Sequence, residues 1–170
     1  MPEAGIVLAL VFLIFSAFFS SSEAAFLSLQ KATITHLVKT DVPGARRVAR
    51  MIEDPERLLS TILLGNNVVN VAFTASVTLI FISLLGDGSE GRAALLTTVA
   101  GTAALLLVGE IIPKTIAVHH ARRVAFAYAG PLKWTEAAFW PLVVVLQWIT
   151  RRARSLLGGV PRYVERQRAL

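Results

Sequence analysis

Long apolar blocks separated by short polar segments dominate the pattern along this chain. Three blocks, at about 5–29, 58–85 and 93–118, are each long enough to cross a bilayer as a helix. A fourth block, 124–150, is interrupted by prolines and charged side chains. The pattern predicts an all-α membrane protein with three transmembrane helices and additional juxtamembrane or interfacial helices.

The polar segment 30–57, between the first two blocks, predicts two short amphipathic helices on either side of a turn at Pro43-Gly44. Asp54 followed by Pro55 predicts the start of the second spanning helix, with Asp54 as N-cap and Pro55 in the first helical position.

The distribution of Lys and Arg predicts the orientation of the spans. Segment 30–57 carries six of these residues, whereas the turn between the second and third spans carries only Arg92. Because positive loops stay in the cytoplasm, we expect segment 30–57 to be a cytoplasmic helical loop in a multi-pass protein of the cell (inner) membrane. The N-terminus would then lie outside and the C-terminus inside.

The fourth apolar block is not expected to cross. A crossing would place the basic tail outside, against the positive-inside rule; the tail contains Arg151, Arg152, Arg154, Arg162, Arg166 and Arg168. Pro131 and Pro141 should break the block into an interfacial or re-entrant pair of helices. We therefore expect a three-span core at 1–123, followed at 124–170 by interfacial belt helices and a basic cytoplasmic tail.

Composition supports the membrane class and excludes several chemistries. Of the 170 residues 55% are hydrophobic and 16% charged, with mean hydropathy +0.64. The absence of cysteine excludes disulfides and thiolate metal sites. The basic residues that give the chain its net charge of +6 flank the apolar blocks. This distribution favours anionic lipid headgroups over nucleic acid as their binding partner. The first block has no basic leader, so we interpret it as a mature span rather than a signal peptide.

Each of the three spans contains polar groups that lipid would penalise. In the first, Ser16, Ser20 and Glu23 share one helix face, and Ser21 adjoins them. In the second, Asn66 and Asn70 share a face with Asn67 one position away. Serines that bond back to their own helix, or asparagines that join helices by hydrogen bonds, would explain these clusters without a ligand.

The third span contains Gly109-Glu110-Ile111-Ile112-Pro113-Lys114. Pro113 has no N–H and clashes with the carbonyl of Gly109, so the helix should kink or bulge there and free that carbonyl. Freed carbonyls beside a carboxylate are typical of ion sites in broken helices. The alternative is a kink for packing, with Glu110 paired to Lys114 at i+4.

The combined ligand set is rich in oxygen. One carboxylate, amide carbonyls, hydroxyls and free main-chain carbonyls suit Mg²⁺, Ca²⁺ or Na⁺ rather than zinc or copper. His36, His119 and His120 lie in basic interfacial segments and are expected to be solvated. The chain has no Gly-x-Ser-x-Gly, His-Glu-x-x-His or phosphate-loop motif, so we do not expect an enzyme.

The three clusters, in this order and spacing, resemble the transmembrane (DUF21) domain of the CNNM/CorC magnesium transporters. The resemblance covers essentially the whole chain. It implies a homodimer of three-span protomers with a belt of juxtamembrane helices, and Mg²⁺ export, driven by inward Na⁺. Full-length family members continue into a cytosolic CBS-pair domain that binds ATP, which this chain, ending at Leu170, lacks.

The resemblance also implies roles for single residues. Ser20, Asn70, Gly109 and Glu110 would be the central ion ligands. Six others would shape or support the site: Ser21, Glu23, Asn66, Asn67, Pro113 and Lys114. We add Ser16 to the supporting residues because its spacing places it on the same helix face as Ser20. A passive divalent-cation channel and a Mg²⁺-sensing membrane scaffold without net flux remain alternatives to a transporter.

Overall fold

Three long helices form the frame of the molecule. The computed structural model describes residues 2–86 and 88–156. Within that part of the chain, three helical segments are long and apolar enough to cross a membrane: α1 (Pro2–Ser28), α4 (Pro55–Leu85) and a composite third span, Glu90–His119. The all-α membrane fold predicted from the sequence is confirmed, and the protein is a multi-pass membrane protein.

Two short helices connect α1 to α4, as the sequence predicts. They are α2 (Lys31–Lys39) and α3 (Ala45–Glu53). Between them Gly44 has φ +85°, a left-handed conformation that glycine adopts without strain. Asp54 then caps α4, because its side chain accepts a hydrogen bond from the backbone N–H of Arg57 at 3.1 Å. We call the end of the bundle that carries α2 and α3 the basic end.

The third span is not a uniform α-helix. It consists of α5 (Glu90–Leu96), a π-helical segment π1 (Thr97–Gly101), α6 (Thr102–Ala104), a second π-helical segment π2 (Leu105–Ile111) and α7 (Ile112–His119). The distortion predicted from Pro113 is present as π2, which ends two residues before the proline. The first segment, π1, is not directly followed by a proline, and the sequence does not predict it.

The prediction that prolines break segment 124–150 into a pair of helices is wrong. A single helix, α8 (Ala121–Leu156), runs through both Pro131 and Pro141. Proline removes one backbone hydrogen bond, but packing on both sides of it keeps the helix continuous. In α8 this packing comes from a buried face that contains Ala125, Ala129, Leu132 and Val143. Helix α8 is not among the three candidate spans of the described chain, and its non-crossing position stays a prediction.

The hydrophobic core lies at the basic end, where α8 packs against α1, α3 and α4. Ile62, Leu132 and Val48 are almost completely buried there, and they come from three different helices. The long helices keep many large apolar side chains exposed, as expected for surfaces that face lipid. Arg162, Arg166 and Arg168 of the predicted basic tail lie outside the described residues.

Candidate ion site

The polar clusters of the three spans meet at the middle of the bundle. Side chains of α1 point at α4 and at π2, so residues more than fifty positions apart in the chain become neighbours. Ser16 and Ser20 are at most 1% exposed. These two serines, predicted to lie at membrane depth, are therefore turned toward the partner helices and away from lipid.

Ser16 is at the centre of this contact. Its hydroxyl donates to Asn70 Oδ1 at 2.8 Å, and the carbonyl oxygen of Gly109 lies 3.5 Å from the same hydroxyl. A single side chain thus contacts both partner helices. The sequence predicts Ser16 only as a supporting residue. Its spacing of four residues from Ser20 is the sequence signal that both side chains lie on the same face of α1.

Glu110 completes the network. Its side-chain Oε1 accepts a hydrogen bond from Asn70 Nδ2 at 2.9 Å, and its main-chain carbonyl accepts one from the Ser20 hydroxyl at 3.2 Å. The four predicted central ligands, together with Ser16, therefore form one cluster. They are Ser20, Asn70, Gly109 and Glu110.

Two glycines allow the helices to approach this closely. A Cβ atom added to Gly109 would lie 2.9 Å from Ser16 Oγ, and one added to Gly65 would lie 2.4 Å from ring atoms of Phe19. Distances below about 3 Å require displacement of the neighbour. Glycine is therefore needed at both positions for steric reasons.

Lys114 does not pair with Glu110. Its ammonium group lies 2.9 Å from a carboxylate oxygen of Glu23 on α1, and both side chains are partly exposed. This ion pair supplies the compensating positive charge that a carboxylate within an apolar block, such as Glu23, requires. It also leaves Glu110 without a pairing cation among the described residues.

The remaining predicted residues lie around the network rather than in it. Ser21 is buried, Asn66 and Pro113 are partly buried and Asn67 is exposed. The Oδ1 atom of Asn66 is buried and makes no hydrogen bond within the described part of the chain. Back-bonding, considered above for the serines, occurs at Ser22, which donates to the Phe18 carbonyl at 2.7 Å.

The donor set is a single carboxylate surrounded by neutral oxygens. Hydroxyl, amide and main-chain carbonyl oxygens converge on it from three helices. Across the described residues there is no group of three or more His, Cys, Asp or Glu side chains that could hold a metal. Such a set is poorly suited to zinc or copper and suited to a hard cation that keeps part of its hydration shell.

Sequence comparison identifies relatives of this chain among known proteins. Three relatives align at 34–35% identity. They are a UPF0053 protein of Haemophilus influenzae (89% of this chain, 35% of the relative), the UPF0053 inner membrane protein YfjD of Escherichia coli (84% and 32%) and a chloroplastic DUF21 domain-containing protein of Arabidopsis thaliana (93% and 23%). The chain therefore spans about a third or less of the length of these relatives.

The model of the Cyclin M (CNNM) transmembrane N-terminal domain matches residues 7–169, almost the entire chain. A match of this extent includes all three spans, α8 and every residue of the network described above. The chain belongs to the CNNM transmembrane domain family.

Proposed function

We propose that this chain is the ion-translocating membrane domain of a Mg²⁺ transporter that exports the ion in exchange for Na⁺. The observation that carries the proposal is the Ser16–Asn70–Glu110 network, in which three helices contribute oxygen ligands around one carboxylate. The charge, the ligand chemistry and the helix geometry of this network each support it.

The charge of Glu110 requires compensation. A carboxylate at membrane depth costs at least about 2.5 kcal/mol unless a partner stabilises it. The amide of Asn70 donates one hydrogen bond to Oε1, while Oε2 has no hydrogen-bond partner among the described residues. Because Lys114 is engaged by Glu23, a bound cation is the compensating charge that fits this site.

Ligand chemistry favours Mg²⁺. This ion binds proteins through one or two carboxylates and retains several waters, whereas Ca²⁺ takes six to eight oxygen ligands. The site offers one carboxylate, and the Ser16 and Ser20 oxygens, which donate their hydrogens to Asn70 Oδ1 and to the Glu110 carbonyl, keep lone pairs available for an ion. Na⁺, which also prefers oxygen ligands, would use the same groups when it replaces Mg²⁺.

The geometry of π2 supports transport rather than static binding. Gly109 and Glu110 present their carbonyls from a distorted stretch between α6 and α7, and interrupted helices at membrane depth recur in secondary transporters. The Glu23–Lys114 pair joins α1 to α7 on the basic side of the network. Opening of this pair would connect the site with that side of the membrane, which we propose to be cytoplasmic.

We further propose that the functional unit is a homodimer. A groove of about 430 Å³ runs along the outer face of α4 and is lined by Asn67, Asn70, Val71, Thr74, Ala75 and Thr78. Asn67 and Thr74 are exposed there, and lipid would not satisfy the amide of Asn67. A second copy that covers this groove would bury these groups next to the ion site.

Flux measurements in proteoliposomes test the proposed function. We expect Mg²⁺ movement that accelerates when a Na⁺ gradient is imposed in the opposite direction, and that is lost in Glu110→Gln. Flux without any response to Na⁺ would indicate a passive channel. Mg²⁺ binding without flux would indicate a sensing scaffold.

A further inference from the structure

A second, strongly basic pocket lies at the basic end of the bundle, between α3, the start of α4 and α8. Its volume is about 300 Å³, and it is lined by Arg47, Arg50, Met51, Asp54, Arg57, Leu58, Lys133 and Glu136. No residue of the ion site takes part in it.

The two carboxylates of this pocket already have partners. Glu136 forms an ion pair with Arg57, and Asp54 accepts the backbone N–H of Arg57 as the cap of α4. The Arg50 Nε atom donates to the carbonyl of Arg46 at 3.3 Å, a neutral acceptor that leaves its charge unbalanced. The N–H that Asp54 accepts is neutral, so the excess of positive charge in the pocket follows from the four cationic side chains that line it together with only two carboxylates.

Arg47 and Lys133, like Arg50, contribute to this excess. The Arg47 guanidinium lies against α8, because a Cβ added to Gly130 would be 3.3 Å from its Nη1 atom. Lys133 lies three positions further along α8 and therefore near the same face. Neither side chain has an ion-pair partner among the described residues. Both side chains are exposed at the edge of the pocket, so water screens their repulsion, and an anion bound between them would replace that repulsion by attraction.

The surroundings of the pocket indicate the headgroup layer of a membrane. Trp134, next to Lys133, is 80% exposed, and Trp140 is 54% exposed. Exposed tryptophans are enriched at the level of lipid headgroups. Leu58 and Met51 add an apolar wall where the spanning helix α4 begins. Phosphate-binding cations beside an apolar wall fit an anionic phospholipid.

We propose that this pocket binds the phosphate group of an anionic phospholipid, with Arg47 and Lys133 as its main contacts. The bound lipid would hold α8 against α3 and α4 by neutralising charges that otherwise repel. The proposal does not depend on the transported ion, so it stands or fails independently of the proposed transport function.

Thermal unfolding of the purified protein in detergent tests the proposal. The midpoint is followed during titration with phosphatidylglycerol, with phosphatidylcholine of the same acyl chains, and with inorganic phosphate. We expect phosphatidylglycerol alone to raise the midpoint at low concentration. Equal stabilisation by inorganic phosphate would overturn the assignment to a lipid, and equal stabilisation by phosphatidylcholine would overturn recognition of charge.

Variants connect the effect to the pocket. Arg47→Gln and Lys133→Gln should each weaken the apparent affinity for phosphatidylglycerol about fivefold, the contribution of one basic residue near an anionic membrane surface. Lys39→Gln is the matched control, since Lys39 is exposed on α2 and does not line the pocket. Unchanged affinity in both pocket variants would refute the proposal.

A third variant makes the pocket more positive, whereas the first two make it less positive. Glu136→Gln releases Arg57 from its ion pair and removes a negative charge from the pocket wall. Affinity for phosphatidylglycerol should then rise about fivefold. This variant also decides the matter if the two cation variants fold poorly, because an unchanged or weaker affinity would contradict the proposal.

Discussion

The hydroxyl of Ser16 donates a hydrogen bond to Asn70 Oδ1 at 2.8 Å, although the two residues are separated by 54 positions in the chain. This contact fixes the relative rotation of α1 and α4, because it directs Asn70 Nδ2 toward Glu110 on the third span. A wrong rotation of either helix would expose an amide or a carboxylate to lipid. The network thus specifies the packing of the bundle and assembles the candidate ion site at the same time.

The charge of Glu110 should dominate Mg²⁺ binding. Glu110→Gln keeps the shape and one carbonyl oxygen but removes the only carboxylate of the network. We expect Mg²⁺ affinity to fall at least about tenfold, which corresponds to ~1.4 kcal/mol, and Mg²⁺-dependent thermal stabilisation to fall with it. Isothermal titration calorimetry measures the affinity. The matched control is Glu90→Gln, an exposed carboxylate at the opposite end of the third span. Wild-type affinity in Glu110→Gln would show that the charge of Glu110 does not contribute to Mg²⁺ binding.

Ser16→Ala tests whether the hydroxyl of Ser16 holds α1 and α4 together. An interhelical hydrogen bond in a membrane protein contributes about 0.6 kcal/mol, and at most ~1.7 kcal/mol. We expect a loss of unfolding free energy in this range and weaker Mg²⁺ binding. Equilibrium unfolding in mixed micelles measures the first effect. Ser83→Ala serves as the control, because Ser83 is exposed and bonds only to its own helix; equal losses in both variants would argue against a special role for Ser16.

Gly65 should not tolerate a side chain. An added methyl group would overlap the ring of Phe19 at 2.4 Å, so Gly65→Ala should push α1 away from α4. Overpacking of this kind costs about 1–3 kcal/mol. Gly91→Ala is the control, since no atom lies within 4 Å of the position of its Cβ. The difference between the two unfolding free energies is the decisive quantity, and a difference near zero would contradict the close approach.

The pair formed by Glu23 and Lys114 should contribute modestly to stability. Both side chains are more than a third exposed, so solvent screening limits the contribution to about 0.2–1 kcal/mol. In a double-mutant cycle with Glu23→Gln and Lys114→Gln, the two losses should not add, because either change removes the same contact. Additive losses would show that the two residues act independently. If the pair gates the site, both variants should also alter the rate of Mg²⁺ flux.

Accessibility of introduced cysteines tests the membrane topology, because the chain has no natural cysteine. Thr40→Cys and Arg152→Cys should label from the cytoplasmic side, and Gly91→Cys from the opposite side. All three positions are exposed. Labelling of positions 91 and 152 from the same side would contradict the predicted topology, because either α8 would then cross the membrane or the third span would not. Labelling of positions 40 and 91 from the same side would contradict the crossing of α4.

Local chemistry made much of the fold predictable from the sequence. The length of the apolar blocks indicated three spans, since a bilayer requires about 20 apolar residues per crossing. The Asp54-Pro55 pair predicted the start of α4, and Pro113 predicted the distortion that appears as π2. Each of these features depends on neighbouring residues only.

Interactions between distant residues were decided by the tertiary structure. The sequence left open whether Lys114 pairs with Glu110 or with another group, because i+4 spacing permits the first pairing; packing of α1 against α7 selects Glu23.

The prolines of α8 predicted a break that does not occur, because burial of Leu132 and Val143 supports the helix on both sides of Pro141. Likewise, spacing placed Ser16 on the correct face of α1, but only the rotation of α4 brings Asn70 within hydrogen-bond distance of it. The sequence by itself determined which polar groups must be shielded from lipid, because it places them within apolar spans. The packing of the three helices determined which of those groups contact one another.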